Sequence, residues 1–319
     1  MSVAICLLLY SFAVAVLVPH VLARLTPTGV APALGVAAWL TAIGSVLVAW
    51  AVAAVFLVAD VVDNWSQPER VLSGCFAAVR HIASGSSGLF LQAGLVTLTT
   101  AAAGALGTVG WRLGRSLLSA RRRTHRHAMQ VRFVGRRVAG LDAVVLDAPE
   151  RAAYCAAGRP DTIVVTSAAL DALDDRHLGA VLAHERAHLA GRHHQIVAFT
   201  SAAAAILPRV ELFTRGAQET ARLLEMCADD AAARGYGPRT LLGALLALSG
   251  SAPATRGALA ASGVDVLARA KRLAAPASTG ARWRTGMLLA AVTVLVAAAA
   301  LFTGVLAASD LALCNPLTG

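Results

Sequence analysis

The run VLAHERAHL, residues 181–189, sets two imidazoles four residues apart with a carboxylate beside the first. On a helix His184 and His188 stand one turn apart on a single face. Two neutral imidazoles at this spacing can hold one Zn2+. Glu185 is rotated away from the pair but stays near it, where it can take a proton from an attacking water. That arrangement serves metal-assisted hydrolysis of a peptide bond. A five-residue pattern with three fixed positions also arises by chance, so its surroundings have to support it.

A catalytic zinc takes three protein ligands and leaves a fourth position open. Glu225, in LLEMCADDAAARGYG (residues 223–237), is the expected third ligand. Its helix has Thr214 as a candidate cap and Gly235 as a candidate end. Asp229, one turn on, shares the face of Glu225 and can accept a ring N–H from a metal-binding histidine, fixing its tautomer. The bland account is a solvated acidic face, but Leu223, Leu224 and Met226 surround Glu225 with apolar residues. His194 is the alternative ligand. Residues 184–194 read HExxHxxGxxH, with Gly191 allowing the chain to turn. No separate methionine turn accompanies it, because Met226 lies within the second helix. With Glu225 as ligand, His193 and His194 become helix-end cations or cleft lining. Together with Tyr154 they are the candidates for steadying an oxyanion.

These groups need elements to hold them. Asp174 or Asp175 is placed to cap the metal helix, and Leu178, Val181, Leu182 and Leu189 give it an apolar stripe. Upstream, residues 143–146 and 162–166 are rich in β-branched side chains and read as short strands, with Gly158, Pro160 and Asp161 between them. A substrate is expected to lie along the edge of strand 162–166 as an added strand.

The rest of the chain is a different material. Of its 319 residues 57% are hydrophobic and 14% charged, with a mean hydropathy of +0.65. An ordinary soluble domain carries about 25% charged residues. Four stretches are long and apolar enough to span a bilayer: about 2–22, 31–59, 88–111 and 285–308. The first lacks the charged start and cleavage site of a signal peptide and is read as a span. Trp65, Trp111 and Trp283 sit at span ends. The apolar stretch 196–207 is short for a span; it reads as a core helix or as one that dips into the inner leaflet.

The net charge is +10 and the pI about 10.6. Much of the excess follows the third span, from Arg112 and Arg115 through Arg121–Arg123 to Arg136 and Arg137, and no nucleic-acid-binding motif goes with it. This is the signature of a cytoplasmic membrane border facing anionic lipid, so no direct nucleic-acid contact is expected. The expected layout is three transmembrane helices in 1–111, a cytoplasmic domain at 112–284, a fourth helix at 285–308 and a short outer tail at 309–319. Both termini are then extracytoplasmic in a multi-pass cell-membrane protein. Cys6, Cys75 and Cys314 fall on or near the outer side, where a disulfide among them is expected. Cys155 and Cys227 are expected to be reduced. The five cysteines form no CxxC pair.

The metal helix with the later ExxAD resembles the BlaR/MecR-type integral-membrane zinc peptidases, which are similar in site design to the HtpX and CAAX-processing membrane peptidases. Residues 143–166 and the stretch 267–276 before the last span also resemble that family. The resemblance implies an α-helical membrane protein with a cytoplasmic α+β, zincin-like metallopeptidase domain and about four transmembrane helices. It implies one Zn2+ per chain on His184, His188 and Glu225, with Glu185 as catalytic base and Asp229 behind the ligands. The implied partners are a protein or peptide substrate, a transcriptional repressor among them, and the lipid bilayer; a homodimer is allowed. A protease that processes membrane proteins or removes damaged ones, as HtpX does, is the alternative, and a non-proteolytic membrane scaffold or receptor is the third reading. BlaR/MecR receptors carry a penicillin-binding domain after their last span. Residues 309–319 leave no room for one, so β-lactam sensing in that manner is not expected.

Overall fold

The computed structural model describes residues 2–63, 88–138, 140–249 and 259–313. Three long helices come first: α1 (Ser2–Leu25), α2 (Pro32–Asp63) and α3 (Gly88–Val134). Four short strands follow: β1 (Arg136–Arg137), β2 (Val144–Leu146), β3 (Ala153–Ala156) and β4 (Thr162–Thr166). The remainder is helical: α4 (Ser167–Ala172), α5 (Asp175–Ala190), α6 (His193–Ile206), α7 (Glu211–Tyr236), α8 (Pro238–Ser249), α9 (Leu259–Ala274) and α10 (Thr279–Leu313).

Among the described residues three helices are long and apolar enough to cross a membrane: Val3–Leu25, Pro32–Ala59 and Thr279–Val305. They favour membrane association. They pack together, with Trp50 Nε1 donating to Ser11 Oγ at 2.9 Å and Tyr10 Oη donating to the Val296 carbonyl at 3.0 Å. The expected span 88–111 forms the first half of α3, a 47-residue helix that runs on through the arginine-rich stretch. The side chains of 88–93, 95 and 96 are outside the described set, as are Trp65, Cys75 and Cys314, on which the expected outer disulfide depends. Cys6, Cys155 and Cys227 are free thiols.

The sheet has the order β1-β2-β4-β3. β2 and β4 run parallel, with Val144 opposite Val164, while β1 and β3 are antiparallel to their neighbours. One face packs on the end of α3 through Ala128, Val131, Val144 and Val164. The other packs on α5 through Ile163, Val165 and Leu182. This corrects the expectation for the substrate edge. β4 is wholly buried and paired on both sides, so it has no edge to offer; the open edge beside the metal helix belongs to β3. The sequence AYCA of β3 carries no β-branched residue, which is why it was not legible as a strand.

Asp174 caps α5, its Oδ1 accepting from the His177 N–H at 2.7 Å. The start of α7 differs from expectation. Thr214 lies inside the helix, its Oγ1 bonded to the Glu211 carbonyl at 3.4 Å, and Val210 is the cap residue. Pro208 stops α6 two residues after its end, and the chain restarts as α7 almost at once. The helix also runs past Gly235 to Tyr236, because Gly237 takes the left-handed φ of +85° just before Pro238.

Small residues let α5 and α7 approach closely. Ala180 and Ala232 are fully buried between them, and Ala183 and Ala233 lie alongside. A Cβ on Gly179 would come within 2.6 Å of the Tyr236 ring. The α6–α7 hairpin packs against the spanning helices instead of the sheet. Phe213 meets Trp50 at a ring separation of 5.9 Å, Gly216 sits over Trp39 and Ile43, and Ile196, Val197 and Phe199 join the same core. Residues 196–207 pack on α7 and on α3, and it is α7 that lies against the span Pro32–Ala59.

Ala180→Leu adds three carbon atoms at a fully packed contact. It is expected to lower the thermal midpoint of the detergent-solubilised protein, at a cost of about 1–3 kcal/mol, and to reduce its zinc content. An unchanged midpoint with full zinc would show that the close approach is not needed.

Candidate metal centre

Three side chains from two helices converge. His184 and His188 of α5 bring their Nε2 atoms to 3.1 Å from each other. Glu225 of α7 reaches both rings, with Oε1 at 3.4 Å from His188 Nε2 and Oε2 at 3.5 Å from His184 Nε2. The ligand atoms of this trio all lie within 4.8 Å of one another. The edges of a tetrahedron with arms of about 2.1 Å measure roughly 3.4 Å, so the spacing suits a zinc ion.

The outer ring nitrogens support the same conclusion. His184 Nδ1 is 3.1 Å from Asp229 Oδ1, at ion-pair distance though off the line of a well-directed hydrogen bond. His188 Nδ1 is 2.9 Å from His193 Nδ1. Protons held at these outer nitrogens leave both Nε2 lone pairs facing the Glu225 carboxylate. Three acceptors then meet at one point, an arrangement that a cation relieves. Without a metal, burial pulls the His184 pKa down, but the Asp229 and Glu225 carboxylates outweigh it and hold the ring protonated. Burial and the neighbouring His184 charge push His188 the other way. One proton on the pair thus does part of what a divalent ion would do.

Asp229 is fully buried and answered by Arg269 of α9. The guanidinium donates to both carboxylate oxygens, at 2.7 and 2.8 Å, and its Nη1 lies 3.1 Å from Glu225 Oε2. Burial works against the Asp229 charge, yet Arg269 and His184 bring its pKa down to about 2. Arg269 was not singled out from the sequence. The signal in the sequence was only that Arg269 stands four residues before Leu273, on the same helical face.

Glu185 is 9% exposed and lies against β3, where it meets the backbone N–H and the thiol of Cys155. Burial raises its pKa to about 7, and Glu225 adds to the shift while His184 opposes it. The Cys155 thiol is pushed up to about 12, by burial first and by the Glu185 charge next, so it stays a neutral donor. The β3 edge is open at this point. Thr166 N donates to Ala152 O at 2.9 Å, which makes 152 and 166 a hydrogen-bonded pair. In the alternate register Ala153 and Cys155 turn their N–H and C=O groups away from β4.

The other candidates are placed elsewhere. His193 is buried against His188, and Gly191 makes room for it: a Cβ there would lie 2.4 Å from His193 Nε2. His194 is outside the converging trio, and its electrostatic neighbours are Asp161 and Arg192. Tyr154 faces α3, stacked on His127 at 5.7 Å, on the opposite side of the sheet from the two histidines.

The model of peptidase family M48 matches residues 119–236, from the later part of α3 through the sheet and α5 to the end of α7. The match covers less than half of the chain. It supports a membrane-type M48 metallopeptidase, typically zinc-dependent, and does not single out the BlaR/MecR group. No curated protein and no solved structure matches the chain.

Two outcomes follow from the geometry. Elemental mass spectrometry of the purified protein is expected to find near one zinc per chain in the parent and in His194→Ala, and loss in Glu225→Ala; loss only in His194→Ala would reverse the assignment. The second concerns pH. A Glu185 carboxyl raised from about 4.5 to about 7 keeps its proton in the folded state across that window, while the unfolded chain releases it. Stability of the metal-stripped protein therefore falls as pH rises through the window, by roughly 3 kcal/mol. Glu185→Gln removes this slope, so it should match the parent near pH 5 and exceed its thermal midpoint at pH 8. Parallel curves for the two proteins would contradict the burial argument.

Proposed function

We propose that this chain is an integral-membrane, zinc-dependent endopeptidase that cleaves a protein substrate close to the membrane surface. The observation that carries the reading is the convergence of His184, His188 and Glu225, with Glu185 buried beside them at the open edge of β3. Zinc held by that trio would polarise the scissile carbonyl and acidify the attacking water. Glu185, with a pKa near neutrality, takes the water's proton and passes it to the leaving amine. The outward N–H and C=O groups of Ala153 and the Cys155 carbonyl align an extended substrate as an added strand, the Cys155 N–H being directed at Glu185. Asp229 and His193 hold the two histidine rings in the tautomers that present Nε2 inward, and Arg269 keeps Asp229 ionised.

A cytoplasmic position for the domain between the third helix's apolar half and the last span is supported by the arginines that follow residue 111 and by Arg282 and Arg284 in the first turns of the last span. Of the two substrate classes, a membrane-borne protein is favoured over a soluble repressor by α7, which carries Glu225 and packs on α2 beside the spanning helices.

Glu185→Ala is expected to keep its zinc and to cut an unfolded model substrate such as casein at least about 100-fold more slowly. Full activity in that variant would remove Glu185 from the mechanism. The same variant used as a trap in membranes should retain membrane proteins; capture of a soluble repressor alone would favour the signalling role.

A further inference from the structure

An open cavity of about 800 Å³ lies between the α1–α2 turn, α7, the end of α9 and the start of α10. It is separate from the metal centre, lying against Met226, Asp230 and Ala233 of α7, whereas Glu225 and Asp229 look toward α5. Its level is set by the spanning segments. One span ends at Leu25, the next begins at Pro32 and the last begins at Thr279, so Pro27, Thr28, Ala281 and Arg282 in its wall mark one border of the membrane.

The lining is cationic. Arg234, Lys271 and Arg282 come from three different helices, and among the described residues none of the three side chains has an ion-pair or hydrogen-bond partner. The carboxylate in the wall, Asp230, is already answered by Arg272 at 2.6 Å, and Arg272 also donates to the Gly29 carbonyl at 2.9 Å. Val30, Met226 and Leu273 make part of the wall apolar.

We infer that this cavity binds the headgroup of an anionic phospholipid. Three unpartnered cations at the membrane border attract a phosphodiester, and basic pockets between membrane helices at such a border suit acidic headgroups. The apolar part of the wall suits the glycerol and the first acyl carbons. A free phosphate shares the charge chemistry but has no use for that apolar surface. The bland alternative is a hydrated cleft whose cations attract any anionic surface diffusely.

The test uses the full chain in a neutral detergent, with lipid retention read by native mass spectrometry during titration with phosphatidylglycerol or phosphatidylcholine, and with inorganic phosphate as competitor. One variant combines Arg234→Gln, Lys271→Gln and Arg282→Gln. A control combines Arg121→Gln, Arg122→Gln and Arg123→Gln, which removes the same charge from exposed positions of α3. The parent and the control are expected to retain one phosphatidylglycerol per chain in preference to phosphatidylcholine, with the cavity variant roughly 100-fold weaker. Equal weakening of both variants, equal retention of the two lipids, or displacement of the lipid by inorganic phosphate would each overturn the assignment. The readout is lipid and not proteolysis, so its outcome is independent of the peptidase reading.

Discussion

The pair between the fully buried Asp229 and Arg269 is the interaction on which the rest of this structure depends. A carboxylate with no exposed surface needs a partner with matched geometry, and the guanidinium meets both of its oxygens. The pair fastens α9 to α7. Through the His184 ring it also fixes α7 against α5, the helix that carries both histidines. Removing one member of such a pair typically costs about 3–5 kcal/mol, because the other charge is left buried alone. Burial works against the Glu225 charge, but the His184 ring and then the third contact of Arg269 hold that carboxylate below its usual range even before a metal is considered.

Around that pair the packing has one geometric task, to let two helices come close enough for three donors to share a point. Alanine and glycine at the α5–α7 contact accomplish it, since any larger side chain would separate the histidines from Glu225. The sheet then sets the reaction's second coordinate. Its parallel β2–β4 centre is covered by helices on both faces, which leaves the β3 edge as the place where backbone groups meet Glu185. The same burial that seats Glu185 raises its pKa toward neutrality, where a base works at ordinary pH.

The helices around the His184–His188–Glu225 cluster are also clamped to the long apolar helices. Arg222 of α7 donates to the Thr26 carbonyl at 2.7 Å and to the Pro27 carbonyl at 3.1 Å, and Arg272 of α9 holds Gly29. Beneath that turn, Met226 Sδ occupies space that only a glycine at position 29 leaves open, 2.0 Å from where a Cβ would stand. Met226 follows Glu225 directly in the chain. A shift of α1 against α2 is therefore felt one residue from Glu225, a candidate metal ligand, and the start of α7 beside Trp39 and Trp50 lengthens the shared contact.

By itself the sequence determined what repeats locally: the His184–His188 pair with Glu185, a cap at Asp174 or Asp175, Glu225 and Asp229 one turn apart, the β-branched runs that became β2 and β4, and the long apolar helices. Each depends on helical or strand periodicity, or on the reach of one side chain to its near neighbours, and needs no knowledge of what lies across the core. Only the tertiary structure decided which of Glu225 and His194 meets the two rings, since both were compatible with the spacing along the chain. It also decided that β4 is interior and that the alanine-rich β3 supplies the edge, that Tyr154 faces α3, and that Arg269, 40 residues beyond Asp229, answers its charge. Those outcomes rest on contacts between distant elements, where burial makes an unpaired charge or an unpaired strand costly, and that cost has no counterpart in any single segment.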